Sequence, residues 1–386
     1  LEPQSVCGNP GWSMNDKKIL LYDQYDIWSL SPDGSSSERL TRGRESKIIY
    51  RIAAVPEIRS LQTIYDGLKI SNYNLDKELI LRGEGEEGKT GYFIWKNNIS
   101  LESIVYKNAY IDELSYAGKK KNMFYREQNF DYSPAIMVNK NKLQEDLIYQ
   151  SNPQQKKFFW GTSELIRYQN SKGTALKGVL LYPANYDPKV KYPMIVSIYE
   201  LQHRYLHRYT IPSQYNETGF NATVATLNGY FVLLPDIIHE FQNPGISALD
   251  CVTEKNKKVI DKGIINSEKV GLIGHSFGGY ETAFIASNTN LFQTAIASGG
   301  IMDLTSFFLT LGQSSGKPDM YRFQEEQWVM GGTPFDLPSQ YQKNSPLSYI
   351  EKLDITPLLW TGKQDEHEAL DTVVADSIAG VKSTPV

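Results

Sequence analysis

The stretch Val270-Gly271-Leu272-Ile273-Gly274-His275-Ser276-Phe277-Gly278-Gly279-Tyr280-Glu281-Thr282-Ala283-Phe284 decides how this chain is read. Its first four residues form a short apolar run, as a strand covered on both faces requires. Gly274 to Gly278 then match Gly-x-Ser-x-Gly, and the residues from Gly279 suit a helix. A serine hydroxyl is a poor nucleophile at neutral pH. The fold must expose its oxygen, remove its proton and stabilise the oxyanion that forms. Glycines two before and two after Ser276 permit a strained strand-to-helix turn where a side chain would strike backbone. The backbone N–H of the next residue, Phe277, then points toward the oxyanion, helped by the dipole of the helix it opens. The pattern implies acyl transfer.

Around this turn, from about residue 156, strands alternate with helix-sized segments as in a doubly wound sheet. Gly178–Tyr182, Met194–Tyr199, Tyr230–Leu234, Val270–Ile273, Thr294–Ala297 and Pro357–Trp360 read as strands, and Ala248–Lys262 and Tyr280–Ser287 as helices. The order of parts is that of an α/β-hydrolase core. There the triad runs Ser, then acid, then His along the chain. Asp365, just past Pro357–Trp360, is the candidate acid, and Tyr199, ending an earlier strand, is placed to offer a hydroxyl as a second oxyanion donor. No histidine follows residue 367.

The first 155 residues have a different texture, with short β-type runs between turn clusters. Lys18–Tyr22, Tyr25–Leu30, the turn Ser31-Pro32-Asp33-Gly34 and Arg39–Thr41 make the clearest unit, the strand-and-turn pattern of a propeller blade. At about 40 to 45 residues per blade this half holds about three, fewer than a closed ring needs. We therefore expect residues 1–155 to be a partial β-propeller and 156–386 an α/β-hydrolase domain lacking its final part. An open β-sandwich is the alternative for the first half. Gly83-Glu84-Gly85-Glu86-Glu87-Gly88 has the spacing of neither a phosphate loop nor a calcium loop and reads as a turn between strands.

Composition narrows the function classes. A net charge of −4 argues against general affinity for nucleic acid, which calls for clustered Lys and Arg; Lys119-Lys120-Lys121 reads as solvated loop. No stretch approaches the roughly 18 apolar residues of a membrane span. Cys7 and Cys251 offer neither a disulfide framework nor metal-ligand spacing and are expected to be buried small apolar residues. No metal or cofactor is implied. The chain starts with Leu and shows no signal peptide, so a missing N-terminus is expected, and nothing in it assigns a compartment. Asn98, Asn216 and Asn221 match Asn-x-Ser/Thr, which has meaning only in a glycosylating host.

At Gly274-His275-Ser276-Phe277-Gly278-Gly279-Tyr280 the chain resembles the prolyl oligopeptidase family of serine peptidases, whose members join a β-propeller to a C-terminal α/β-hydrolase domain. The resemblance takes in Lys191–Tyr199, and Asn344-Ser345-Pro346 with Thr356–Leu359 leading to the acid. It implies Ser276 as nucleophile, Asp365 as acid, and Tyr199 with the Phe277 N–H as oxyanion donors. It further implies Phe307 and Phe308 near the pocket for the residue preceding the cleaved bond. Three departures stand out. Glu200-Leu201-Gln202 replaces a glycine-rich turn, and Pro235-Asp236-Ile237-Ile238-His239-Glu240 replaces an arginine-glycine loop. The family's histidine, well past the acid, has no counterpart. His239 is a candidate substrate contact on a loop near the strand ends, His203 and His207 read as polar surface, and His275 points away from the neighbouring hydroxyl. The expected function is a serine peptidase acting on peptides, apparently truncated at both ends and without its triad histidine. The alternatives are an esterase on the same core and an inactive peptide-binding homologue.

Overall fold

The computed structural model describes residues 7–53, 61–65, 68–97, 100–117, 122–140, 144–215, 219–311, 318–355 and 357–361. The chain divides into two compact units: Leu1–Lys157 with His207–Tyr209, and Phe158–Leu206 with Thr210–Val386.

The first unit is all-β. Its described strands form one six-stranded and two four-stranded sheets, antiparallel apart from one parallel pairing between Gly11–Ser13 and Leu68–Tyr73. The Asp33-Gly34 turn sits as read: Ile19–Tyr22 pairs with Ile27–Leu30, which returns through a turn with Gly34 at φ 73° to Ser37–Arg39. Asp26, fully buried at the start of this meander, accepts a hydrogen bond from Thr41 Oγ1 at 2.7 Å and another from the Gly43 N–H. The last sheet contains two strands that the sequence reading missed, Tyr110–Ala117 and Asn122–Asn129. Their apolar residues alternate with charged ones facing outward, so no continuous apolar run advertises them. Gly83–Gly88 is not simply a turn. Gly83 to Gly85 end the strand Leu79–Gly85, and position 83 has no room for a side chain, since a Cβ there would stand 2.4 Å from Phe93 Cε2. Only the return at Glu86–Gly88 is a turn, closed by Gly88 N–H to Gly85 O at 2.9 Å. Cys7 is exposed, against expectation, while Cys251 is buried. Lys119–Lys121 lie outside the described residues.

The second unit is a mixed seven-stranded sheet: β1 (Ser163–Gln169), β2 (Ala175–Leu181), β3 (Tyr192–Ile198), β4 (Phe231–Pro235), β5 (Ile265–His275), β6 (Thr294–Ser298) and β7 (Pro357–Trp360). The strands lie in the order β1-β2-β4-β3-β5-β6-β7, with the β1–β2 and β2–β4 pairings antiparallel and the others parallel. Among the described helices are α1 (Ala222–Leu227), α2 (Pro244–Ile260), α3 (Phe277–Ala286) and α4 (Leu304–Phe308). Every residue of β4 is buried, as a central parallel strand demands. Phe231 at its start meets Tyr182, Tyr186 and Tyr192 with ring centroids 4.9 to 5.8 Å away. Burying one such ring contributes about 1.5–3 kcal/mol. Pro244 at the first turn of α2 suits a position whose N–H has no helical partner. Ala248, Cys251, Val252 and Val259 then face the core at helical spacing. Lys255 and Asn256 occupy the same face and are fully buried, which a pattern-based reading would place in solvent. Asn221 caps α1, accepting from the Val224 N–H at 3.0 Å. The parallel strands all end on one edge, where open α/β sheets bind their ligands.

Candidate active site

Ser276 leaves β5 with φ 57° and ψ −121°, a backbone conformation that costs on the order of 1–3 kcal/mol for a non-glycine residue. Neighbouring hydrogen bonds hold it there. Its N–H donates to Ser298 O of β6 at 2.8 Å, and its carbonyl accepts from Gly279 N at 2.8 Å and Tyr280 N at 3.1 Å. The residue is exposed, while the four that follow are buried. A Cβ at Gly274 would stand 2.1 Å from Gly278 O, and one at Gly278 would stand 2.5 Å from Ile198 O. Both glycines are therefore demanded by the approach of α3 to β5 and to the end of β3. Phe277 opens α3, so its N–H has no partner within the helix.

Tyr199, one residue past β3, lies beside this turn. Its Cδ2 is 3.3 Å from the point where a Gly278 Cβ would be, and the half-buried ring leans on an aromatic cluster. That cluster is built on Phe277, whose ring meets Trp328 at 4.7 Å and Tyr280 at 5.5 Å. Phe307 and Phe308 of α4 belong to it and are buried, their rings tilted or edge-on against Phe323, Trp328 and Tyr341. They form packed wall under the turn. Trp328, Phe323 and Tyr341 carried no motif and escaped the sequence reading.

Asn344-Ser345-Pro346 is a structural clasp. The Asn344 side chain accepts from Gly245 N at 3.1 Å and donates to Gln242 O at 3.0 Å, and Tyr280 O–H donates to Asn344 O at 2.8 Å. Ser345 Oγ accepts from Leu304 N at 3.0 Å. One short segment thus ties together the starts of α2, α3 and α4.

Two of the departures noted in the sequence prove to be partners. Asp236, buried just past β4, accepts from the N–H groups of Gln202 and His203 at 2.7 and 2.8 Å and meets His203 Nδ1 at 2.6 Å. Ile237 N–H donates to Glu200 O at 3.1 Å, and Gln202 Nε2 to Ser197 O at 2.7 Å. The loop after β3 takes its path from the loop after β4, so neither was readable alone.

Each of the four described histidines is engaged. His203 is tied to Asp236. His207, expected at the surface, is buried with the first unit, where its Nδ1 meets Asn129 Oδ1 at 2.8 Å and burial lowers its pKa to about 4. His239 Nε2 meets Glu281 Oε1 at 2.7 Å, both side chains nearly or fully buried. His275 Nδ1 lies 3.1 Å from Ser298 Oγ. Asp365 and His367 lie outside the described residues. Among the described residues no cluster of three or more His, Cys, Asp or Glu could hold a metal, and no helix is long and apolar enough to cross a membrane.

Residues 245–373 match the prolyl oligopeptidase family. The uncharacterized peptidase YuxL of Bacillus subtilis is 22% identical over 300 residues, covering 73% of this chain and 42% of its own length. A probable chloroplastic glutamyl endopeptidase of Oryza sativa is 22% identical over 390 residues, covering 90% of this chain and 39% of its own. The chain thus spans about two fifths of the length of these relatives. Among solved structures, a putative dipeptidyl aminopeptidase IV from Bacteroides ovatus superposes with a TM-score of 0.70 at 15% identity, covering 98% of this chain and 55% of that one. The acylaminoacyl peptidase of Pyrococcus horikoshii superposes with a TM-score of 0.61 at 16% identity, covering 94% and 62%. These structures show the fold: an all-β propeller-type unit joined to an α/β-hydrolase unit.

Proposed function

We propose, from the premise that this chain belongs to the prolyl oligopeptidase family of serine peptidases, that Ser276 attacks peptide carbonyls and forms an acyl-enzyme. The observation that carries the reading is an exposed serine held at positive φ between a parallel strand and the helix it opens. On this reading Ser276 Oγ adds to the carbonyl carbon as its proton passes to a base. The Phe277 N–H and the Tyr199 hydroxyl stabilise the oxyanion, and the amine leaves with the proton. Water then repeats the addition and frees the acid product. Asp365 is assigned as the acid that orients the base.

The base is, we infer, none of the five histidines numbered here. Support comes from the prior engagement of His203, His207, His239 and His275, and from the proximity of His367 to Asp365 in sequence. Without a base, the oxyanion donors and binding alone leave a residual rate several orders of magnitude below that of a complete triad. The test is labelling with a fluorophosphonate, with and without added imidazole. Slow labelling, speeded at least tenfold by imidazole and lost in Ser276→Ala, is the expected result. Labelling unaffected by Ser276→Ala would overturn the assignment of the nucleophile, and rapid labelling without imidazole would overturn that of the base. Hydrolysis of esters but never of peptides by an imidazole-supplemented sample would favour the esterase alternative.

A further inference from the structure

His239 and Glu281 meet behind the serine turn. Glu281 lies on α3 four residues after Phe277, so the two share a helical face. The imidazole sits between them, with Nε2 2.7 Å from Glu281 Oε1 and the ring edge-on to the Phe277 ring at 5.0 Å between centroids. Glu281 is fully buried, His239 has 9% of its side chain exposed, and Glu281 Oε2 is buried without a hydrogen-bond partner. A carboxylate here is costly to ionise and has one oxygen uncompensated. Neither residue has a part in the acyl-transfer steps above. Yet their contacts fall on the first turn of the helix whose leading N–H is the assigned oxyanion donor.

We propose that His239 and Glu281 form a positioning pair for the serine turn, whose charge state sets the orientation and electrostatic environment of the Phe277 N–H. Its catalytic meaning rests on Ser276 being the nucleophile, whereas the coupling of the pair to Phe277 stands without that. Burial raises Glu281 to about 7, with the His239 hydrogen bond opposing. The other titratable groups around it are Glu200 past β3, whose charge raises it further, Tyr280 on its own helix, and Cys251 of α2. Below that pH the pair can hold its shared proton and carry no net charge. Above it, a net negative charge lies one helical turn from the donor and disfavours a second negative charge forming there.

The backbone amide of Phe277 reports this directly. Only two Ser–Phe peptide bonds occur, at Ser276-Phe277 and Ser306-Phe307, so carbonyl-13C serine with 15N phenylalanine leaves two signals, and the one that persists in Ser306→Ala is that of Phe277. From about pH 5.5 to about 8.5 its shift is expected to titrate with a midpoint near 7, to be flat in Glu281→Gln, and to move in midpoint in His239→Gln. A Phe277 amide that is flat in the unaltered chain, or that titrates unchanged in Glu281→Gln, overturns the proposal. If Glu281→Gln does not fold, an unchanged midpoint in His239→Gln overturns it equally. Fluorophosphonate labelling of the same samples is expected to slow about threefold above the midpoint in the unaltered chain and not in Glu281→Gln. Absence of labelling at every pH would sink the nucleophile assignment while the amide titration still decides the pair.

Discussion

The two four-stranded sheets of the first unit and the helices and loops packed around the sheet of the second keep their charges in opposite places. In the first, Arg126 reaches Asp112 through two hydrogen bonds of 2.7 and 2.5 Å, and Lys107 reaches Glu127 and Glu145 at 2.9 and 2.6 Å, all on partly exposed faces. In the second, Lys255, Asp236 and Glu281 are buried to 5% exposure or less. Water screens the first group and compensates it on unfolding; the second must find its partners inside. The difference teaches where pH and substitution should be felt. The exposed ion pairs of the β sheets should tolerate both, and the buried charges of the hydrolase unit should not.

The sharpest way to break that contrast is steric. Gly278→Val would thrust a side chain onto Ile198 O and is expected to cost ~4 kcal/mol, exposing amides of β3 and β5 to hydrogen exchange while protection in the β unit persists. Equal loss of protection in both units would show that they do not respond separately.

Next comes Lys255, whose ammonium donates to Ile166 O at 3.3 Å and lies 4.4 Å from the centre of the Tyr168 ring. Burial lowers it from its ordinary 10.5 to about 7. Between those values the unfolded chain binds a proton that the folded chain does not, so this contribution to stability rises with pH through that window and is lowest, and flat, below it. Glu281 runs the other way: raised from 4.5 to about 7, it contributes stability at acid pH that is lost as pH climbs through 7. Lys255→Met is expected to flatten denaturant-measured stability between about pH 7 and 10 and to add ~3 kcal/mol near pH 7. A variant less stable than its parent at pH 7 would mean that the amine is better compensated than its burial suggests.

The smallest effect belongs to the β unit. Arg126→Ala, at a side chain 39% exposed, should cost at most ~1 kcal/mol and show little change between pH 6 and 9. A larger loss would blur the contrast by making a surface pair structural.

Legibility differed between the units for the same physical reason. Val270–Ile273 and Tyr230–Leu234 announced themselves because strands covered on both faces need unbroken apolar runs. Asn122–Asn129, covered on one face, buries Met123 and Tyr125 and turns its charges outward, which in one dimension resembles loop. At the site, the turn at Ser276 was plain because glycine spacing records a steric demand. The aromatic wall of Phe323, Trp328 and Tyr341 was not, since aromatic residues scattered along a chain carry no mark of which will meet.

From residue order alone came whatever is local: the strained turn at Ser276, the Asp33-Gly34 hairpin, the change from short amphipathic strands to alternating strands and helices. Those features depend on backbone sterics within a few residues, and the residue types needed are few. Only the folded chain could join Asp236 to His203, Glu281 to His239, and Asn344 with Ser345 to the starts of three helices. Burial makes such polar side chains take whatever partner the packing brings within reach, and that partner is chosen by the sheet order, 33 to 99 positions away in the chain.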